Sequence, residues 1–230
     1  MTHKTTTHSQ TSPASKGNLI ILLGAPSHDN LTEYTSKLLE DFPDLGAPTL
    51  LCRIETPVTY DTLLAQKSID PSQTEVVLIY CGHGEPPSLQ GPGALPGTPN
   101  CRDLQSVFYD ERFLHLGPTF VLAFCCSAAI DLGYSIDRKT TGRTFVGFDE
   151  QIGWVMKTGD YADCYKRILH GSALAMLRAT TIHSLEKSIR EIYRAALSSF
   201  SSEKDGQYEW GLMMRAYLRK QLEALTFIRS

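Results

Sequence analysis

The 230-residue chain sets 22 Lys and Arg against 25 Asp and Glu, a net charge of −3, so no basic field is present to hold a nucleic-acid backbone. Hydrophobic residues at 42% and charged residues at 20% are the proportions of a globular protein with a substantial core, not of a disulfide-stapled scaffold. No apolar run is long enough to span a bilayer, and Met1 to Lys16 lacks the apolar centre of a secretory leader, so a reducing cytoplasm is the expected setting for Cys52, Cys81, Cys101, Cys125, Cys126 and Cys164.

Residues 1–17 are polar and low in complexity, and are expected to form a disordered leader. The apolar run from Asn18 to Leu23 predicts a buried strand, and Asp29 or Asn30 can cap a helix from Leu31 to Glu40. Pro48 to Ile54 predicts a second strand, Thr59 to Lys67 a short helix, and Glu75 to Tyr80 a third strand. Glu85 to Asn100, dense in Pro and Gly, reads as an irregular loop or hairpin over the sheet edge. Arg102 to Arg112 predicts a helix, Thr119 to Phe124 a fourth strand, Ser127 to Leu132 a short helix, and Arg143 to Phe148 a fifth strand.

Beyond Gly159 the apolar positions take helical spacing. One stripe runs through Tyr161, Cys164, Tyr165, Ile168 and Leu169 and is expected to stop at Gly171. A second runs from Ile182 to Phe200, and a third through Trp210, Met213, Met214, Tyr217, Leu218, Leu222 and Leu225. Such stripes are core-packing faces and carry no chemistry. The polar stretch Ser198 to Gln207 joins the last two helices. Strands alternating with helices predict an α/β fold with a mostly parallel central sheet and helices on both faces. The expected organisation is the leader, one domain over residues 18–200, and a C-terminal helix in 201–230 packed on or extending it.

Two of the predicted strands run into reactive residues. The third leads into Cys81-Gly82-His83-Gly84-Glu85, the fourth into Cys125-Cys126-Ser127-Ala128-Ala129. Parallel sheets carry their chemistry at the carboxyl ends of strands, so a thiol and an imidazole at two such ends suggest a nucleophile with its base. A thiol attacks only as thiolate. His83 can take its proton, and the N-terminus of the helix after the fourth strand can favour the anion. The backbone N–H groups of Gly84 and Cys126 are the candidate donors to a developing oxyanion, and a glycine at 84 admits substrate to the backbone. Cys81, His83, Cys125 and Cys126 make a poor metal set, because adjacent cysteines do not chelate one ion easily; no metal and no cofactor is expected.

The ordered motifs Tyr80-Cys81-Gly82-His83-Gly84-Glu85 and Leu122-Ala123-Phe124-Cys125-Cys126-Ser127 resemble those of the caspase-like cysteine peptidases, most closely their bacterial CHAT branch. In that family a strand leads into His-Gly, and a later strand leads through a small residue into the nucleophilic Cys. The resemblance selects Cys126 over Cys125 and spans roughly residues 18–195. A weaker match follows, in which Phe145-Val-Gly-Phe148 precedes the helix around Tyr165 to Ala173. The resemblance implies a caspase-like three-layer sandwich and a cysteine endopeptidase with a His83–Cys126 dyad. It further implies a limited set of protein substrates and a regulatory or sensor partner protein, within bacterial (antiviral) defence or cell death.

One departure concerns the residue two before the nucleophile, which in relatives is often Gln, Asp or Glu and shapes the specificity pocket. Here it is Phe124, so Asp149 and Glu150 after the fifth strand are the candidates for negative charge in that pocket. Asp29 and His28 are candidates for lining the cleft. Asp103 and Glu85 are available to orient His83, yet the sequence assigns neither. Two other readings stand beside the peptidase: an α/β-hydrolase-like thiol esterase, for which the glycines of a nucleophile elbow are missing around Cys126, and a catalytically silent caspase-like binding module.

Overall fold

A computed structural model describes residues 18–26, 29–40, 42–54, 65, 68–70, 74–85, 88–92, 104–108, 119–127, 129–134, 142–200 and 208–229. The leader, His28, Asp103 and most of the predicted helix from Thr59 to Lys67 lie outside them. The first strand lies between the next two, so the sheet grows to both sides of it. These three strands are β1 (Asn18–Pro26), β2 (Thr49–Ile54) and β3 (Thr74–Cys81), with helix α1 (Asn30–Glu40) between β1 and β2. β3 is flanked on both sides by other strands and buried on both faces, which is why its sequence reads as an unbroken apolar run.

A short excursion follows β3: β4 (His83–Glu85), β5 (Ser88–Pro92) and β6 (Leu104–Phe108) form a separate antiparallel sheet in the order β4-β5-β6. Leu89 is fully buried in the apolar cluster on one face of the large sheet, so this hairpin covers a face rather than an edge. The predicted helix from Arg102 to Arg112 is corrected here, because its centre is β6. Leu104-Gln-Ser-Val-Phe108 fits extended pairing with β5 as well as it fits a helical stripe, and a partner strand decides between the two.

The chain then returns to the main sheet with β7 (Phe120–Phe124), a π-helical turn (Ala129–Gly133) and β8 (Thr144–Phe148). Helices α2 (Asp160–Arg178), α3 (Ile182–Ser199) and α4 (Tyr208–Ala224) come next, and β9 (Leu225–Arg229) closes the sheet. The resulting six-stranded order is β2-β1-β3-β7-β8-β9, parallel throughout except for β9 against β8. α2 does not stop at Gly171. It runs through to Arg178, and Gly171 is where the Ile192 side chain of α3 presses on it: a Cβ there would sit 2.9 Å from Ile192 Cδ1. The third helical stripe ends at Ala224, one residue short of Leu225, which instead begins a strand buried at Leu225 and Ile228.

Alternate residues of each central strand feed two apolar clusters. Ile21, Val77, Ile79, Leu122, Phe124, Val146 and Phe148 pack against α1, α2, α3 and α4. Leu22, Val76, Leu78, Tyr80, Val121, Ala123 and Phe145 face Ile69, Leu89 and the π turn. Among the described residues every α-helix contributing to a cluster lies on the first face, so helices on both faces are seen only in part. No helix among the described residues is long and apolar enough to cross a membrane.

Tyr193 of α3 lies within this core with no exposure, and its hydroxyl has no hydrogen-bond partner among the described residues. Burial drives its ionisation far out of range. An unmatched buried hydroxyl carries a desolvation cost. Tyr193→Phe is therefore expected to raise unfolding stability by about 1 kcal/mol in a denaturant titration; a loss of that size would mean that the hydroxyl is bonded to a buried water.

Candidate active site

The site is assembled by one strand pairing. β3 and β7 run parallel in the register Cys81 opposite Phe124, and the N–H of Gly82 donates to Phe124 O at 3.4 Å. The ladder ends at the Cys81–Phe124 pair; His83 follows two residues later as the first residue of β4, and Cys126 two residues beyond Phe124. Strand alternation separates the two adjacent cysteines. Cys125 is fully buried among the second-face residues, whereas Cys126 is half-buried and packs beside the helical-face cluster. Cys81 and Cys125 thus project to opposite faces of the sheet, a geometry unsuited to gripping one metal ion.

His83 is braced from both ends. Its carbonyl accepts a hydrogen bond from the Tyr80 hydroxyl at 3.1 Å, and its Nε2 meets Asp29 Oδ2 at 2.6 Å. Asp29 is the N-cap of α1: its Oδ1 accepts the Thr32 N–H at 2.9 Å, and the Thr32 hydroxyl accepts the Asp29 N–H at 3.0 Å. The helix that carries this cap is anchored on the end of β3, where the Thr35 hydroxyl reaches Cys81 O at 3.4 Å. Partial burial would push the Asp29 carboxyl up, yet the Thr32 N–H and the His83 ring outweigh it and hold Asp29 below the ordinary carboxylate range. An ionised carboxylate only accepts, so Nε2 carries the proton and Nδ1 is the acceptor nitrogen of the neutral ring. With 29% of the His83 side chain and 41% of the Asp29 side chain exposed, the pair opens to solvent.

The Cys126 sulfur is held by a loop that the sequence did not single out. Ile152, beyond β8, donates its N–H to Sγ at 3.4 Å, and its carbonyl accepts the S–H at 3.6 Å. Ser127 sits in the left-handed region at φ 53, turning the chain sharply after the sulfur, and its N–H is taken by Glu150 O at 3.0 Å. Among the described residues the segment after β7 winds into a π turn from Ala129 to Gly133. Cys81, Cys125 and Cys164 are buried, and desolvation pushes all three thiols up, Cys164 to about 11 against the lowering pull of Arg167. Among the described cysteines with a burial assignment, Cys126 alone reaches solvent.

The remaining candidates divide. Gly84 is pressed against the Cys125–Cys126 turn: a Cβ there would lie 2.5 Å from Cys125 Sγ and 2.7 Å from Cys126 O. Asp149 and Glu150 are exposed beside that turn, with the Asp149 N–H tied to Ala224 O at 3.1 Å. Phe124 is corrected as a pocket residue. At 2% exposure it packs edge-on to Phe148, ring centroids 5.8 Å apart, because its parity on β7 turns it into the helical-face core. Asp29, proposed only as a cleft residue, is the partner of His83. Its cap position after β1 was readable, but its contact with residue 83 depends on where α1 docks.

Two substitutions test this geometry. Asn caps a helix as well as Asp does, so Asp29→Asn is expected to unfold close to the parent while Asp29→Ala loses about 1 kcal/mol. Asp29 titrates below its ordinary 3.8 when folded, so the part of its stabilisation that depends on the charge is complete at neutral pH and is lost as pH falls through that lower folded value; the gap between parent and Asp29→Ala in unfolding free energy should narrow below about pH 4. Gly84→Ala is expected to lose about 1–3 kcal/mol through overpacking, and with it the selective reactivity of Cys126, read by thermal unfolding and by thiol mapping. Set against known proteins, the chain has no match to a protein-family model and none among curated proteins.

Proposed function

We propose that the chain is a caspase-like cysteine endopeptidase of the CHAT type, with Cys126 as nucleophile and His83 as general base and acid. The observation that carries this reading is the Asp29-bound imidazole just beyond the end of β3, together with the solvent-reaching thiol just beyond the end of the neighbouring β7. Asp29 enlarges the dyad into an ordered trio by fixing the ring tautomer.

In this reading the Cys126 S–H turns from the Ile152 carbonyl to His83 Nδ1 and gives up its proton. The thiolate attacks the scissile carbonyl carbon, and the oxygen takes up the electron pair against the N–H groups of Gly84 and Cys126. The imidazolium returns the proton to the leaving amine as the C–N bond breaks, giving an acyl-enzyme and a new N-terminus. Water, deprotonated by the same imidazole, then releases the acid and restores the thiol. Oxyanion-hole stabilisation and a base within reach are each worth several orders of magnitude in such chemistry. Asp149 and Glu150, both exposed, are the carboxylates this reading assigns to a basic side chain of the substrate. A cytoplasmic setting, a limited set of protein substrates and a controlling partner protein belong to the same proposal.

An N-terminal profile of a bacterial proteome, incubated with the parent and with Cys126→Ala, provides the test. New N-termini present only with the parent are expected. His83→Ala should abolish them as well, while both variants keep the parental unfolding midpoint. Equal cleavage by parent and Cys126→Ala overturns the proposal, and turnover of small aryl esters without peptide cleavage moves the assignment to a thiol esterase.

A further inference from the structure

The loop that holds the Cys126 sulfur has no strand or helix of its own. Residues 149–159 leave β8 and reach α2 as irregular chain, so their shape depends on what neighbouring elements tie down. Asp149 is fixed by Ala224 O and Glu150 by the Ser127 N–H. Further along, the Val155 N–H donates to the Tyr165 hydroxyl at 3.1 Å, and the Tyr34 hydroxyl donates to Lys157 O at 3.0 Å. Between these ties lie Ile152, which touches the sulfur, and its neighbour Gly153. Gly153 is bonded by a side chain from the far end of the chain: Gln221 Nε2 of α4 donates to Gly153 O at 2.7 Å. The Tyr217 ring closes on the other side, since a Cβ at Gly153 would lie 2.6 Å from Tyr217 Cε1.

Gln221 is out of place for a purely structural helix. Met214, Leu218 and Leu225 flank it on the buried stripe of α4 and at the start of β9, all with little or no exposure, and Gln221 itself is 1% exposed. Helical spacing calls for an apolar side chain at that position. A buried amide is costly unless it is hydrogen-bonded; Oε1 of Gln221 has no partner among the described residues, and the bond of its Nε2 goes to the residue next to the one that grips Cys126.

We propose that Gln221 is a positioning residue for Cys126, holding the Gly153 carbonyl so that the adjoining Ile152 amide stays aimed at the sulfur. The proposal rests on Cys126 as the reacting group of the function above, and deepens it by naming what sets that group's placement. Gln221 touches neither substrate nor sulfur; it acts through two residues of the loop.

The test reads the sulfur directly. Iodoacetamide labelling of Cys126, followed by mass spectrometry, needs no substrate, so failure of the peptidase assignment leaves this experiment readable. Gln221→Met keeps the length of the side chain and removes the donor. It is expected to slow Cys126 alkylation roughly threefold to tenfold, the rate equivalent of one lost hydrogen bond to the thiolate. Gln221→Glu supplies a donor only while its carboxyl is protonated, so its alkylation rate relative to the parent should recover as pH falls, whereas the deficit of Gln221→Met should persist at every pH. Cys81, Cys125 and Cys164 should stay unlabelled in both variants. A parental Cys126 rate in Gln221→Met overturns the proposal. So does a deficit in Gln221→Glu that is independent of pH, or labelling of the buried cysteines, since either would reflect general loosening. Should Gln221→Met fail to fold, the pH dependence of Gln221→Glu decides alone.

Discussion

The parallel pairing of β3 with β7 is the constraint on which the site depends. Each strand is an ordinary buried strand, and neither carries a working group by itself. The register that sets Cys81 against Phe124 also brings the two strand exits side by side, one offering an imidazole and the other a sulfur. A shift of one residue would turn Cys126 to the opposite face and replace it with Cys125, a thiol whose surroundings exclude water. The apolar alternation of both strands, split between two clusters, is what forbids that slip.

Around this pairing the fold supplies braces rather than additional reactive groups. α1 lends its N-cap carboxylate to the imidazole, and Tyr80 on β3 steadies the same residue from behind through the backbone. On the sulfur's side the loop after β8 does the corresponding work, pinned by residues of α1, α2 and α4. Arg190 of α3 ties the next corner. It bonds the carbonyls of Leu222 and Leu225 at 2.9 and 3.2 Å while pairing with Glu186 at 2.8 Å, and so fixes the end of α4 from which the loop is held.

The sheet strands were readable because continuous apolar runs bounded by turn residues have few other interpretations. The positions of His83 and Cys126 at strand ends followed directly from those runs. What remained hidden was everything decided by partners distant in sequence. Leu104 to Phe108 carries no local signal that outweighs a helix until β5 lies beside it. Leu225 continues a helical stripe in sequence, but the free edge of β8 recruits it into a strand. Asp29 was legible as a cap and not as the companion of His83, a contact spanning 54 positions. The Ile152 amide left no trace at all, since a backbone N–H has no side-chain signature. Gln221 did leave one: a polar residue breaking an apolar stripe.

The strand order also dictates when the site can exist. β9 is the last strand of the described chain and lies in the sheet beside β8, and the groups that shape the sulfur's loop, Gln221 and the Ala224 carbonyl, immediately precede it. A ribosome delivers these residues long after it has delivered His83 and Cys126, and contacts so far apart in sequence form late. During synthesis, therefore, the nascent chain displays its thiol and imidazole without the clamp that aims them, and the finished geometry waits for residue 229 to emerge.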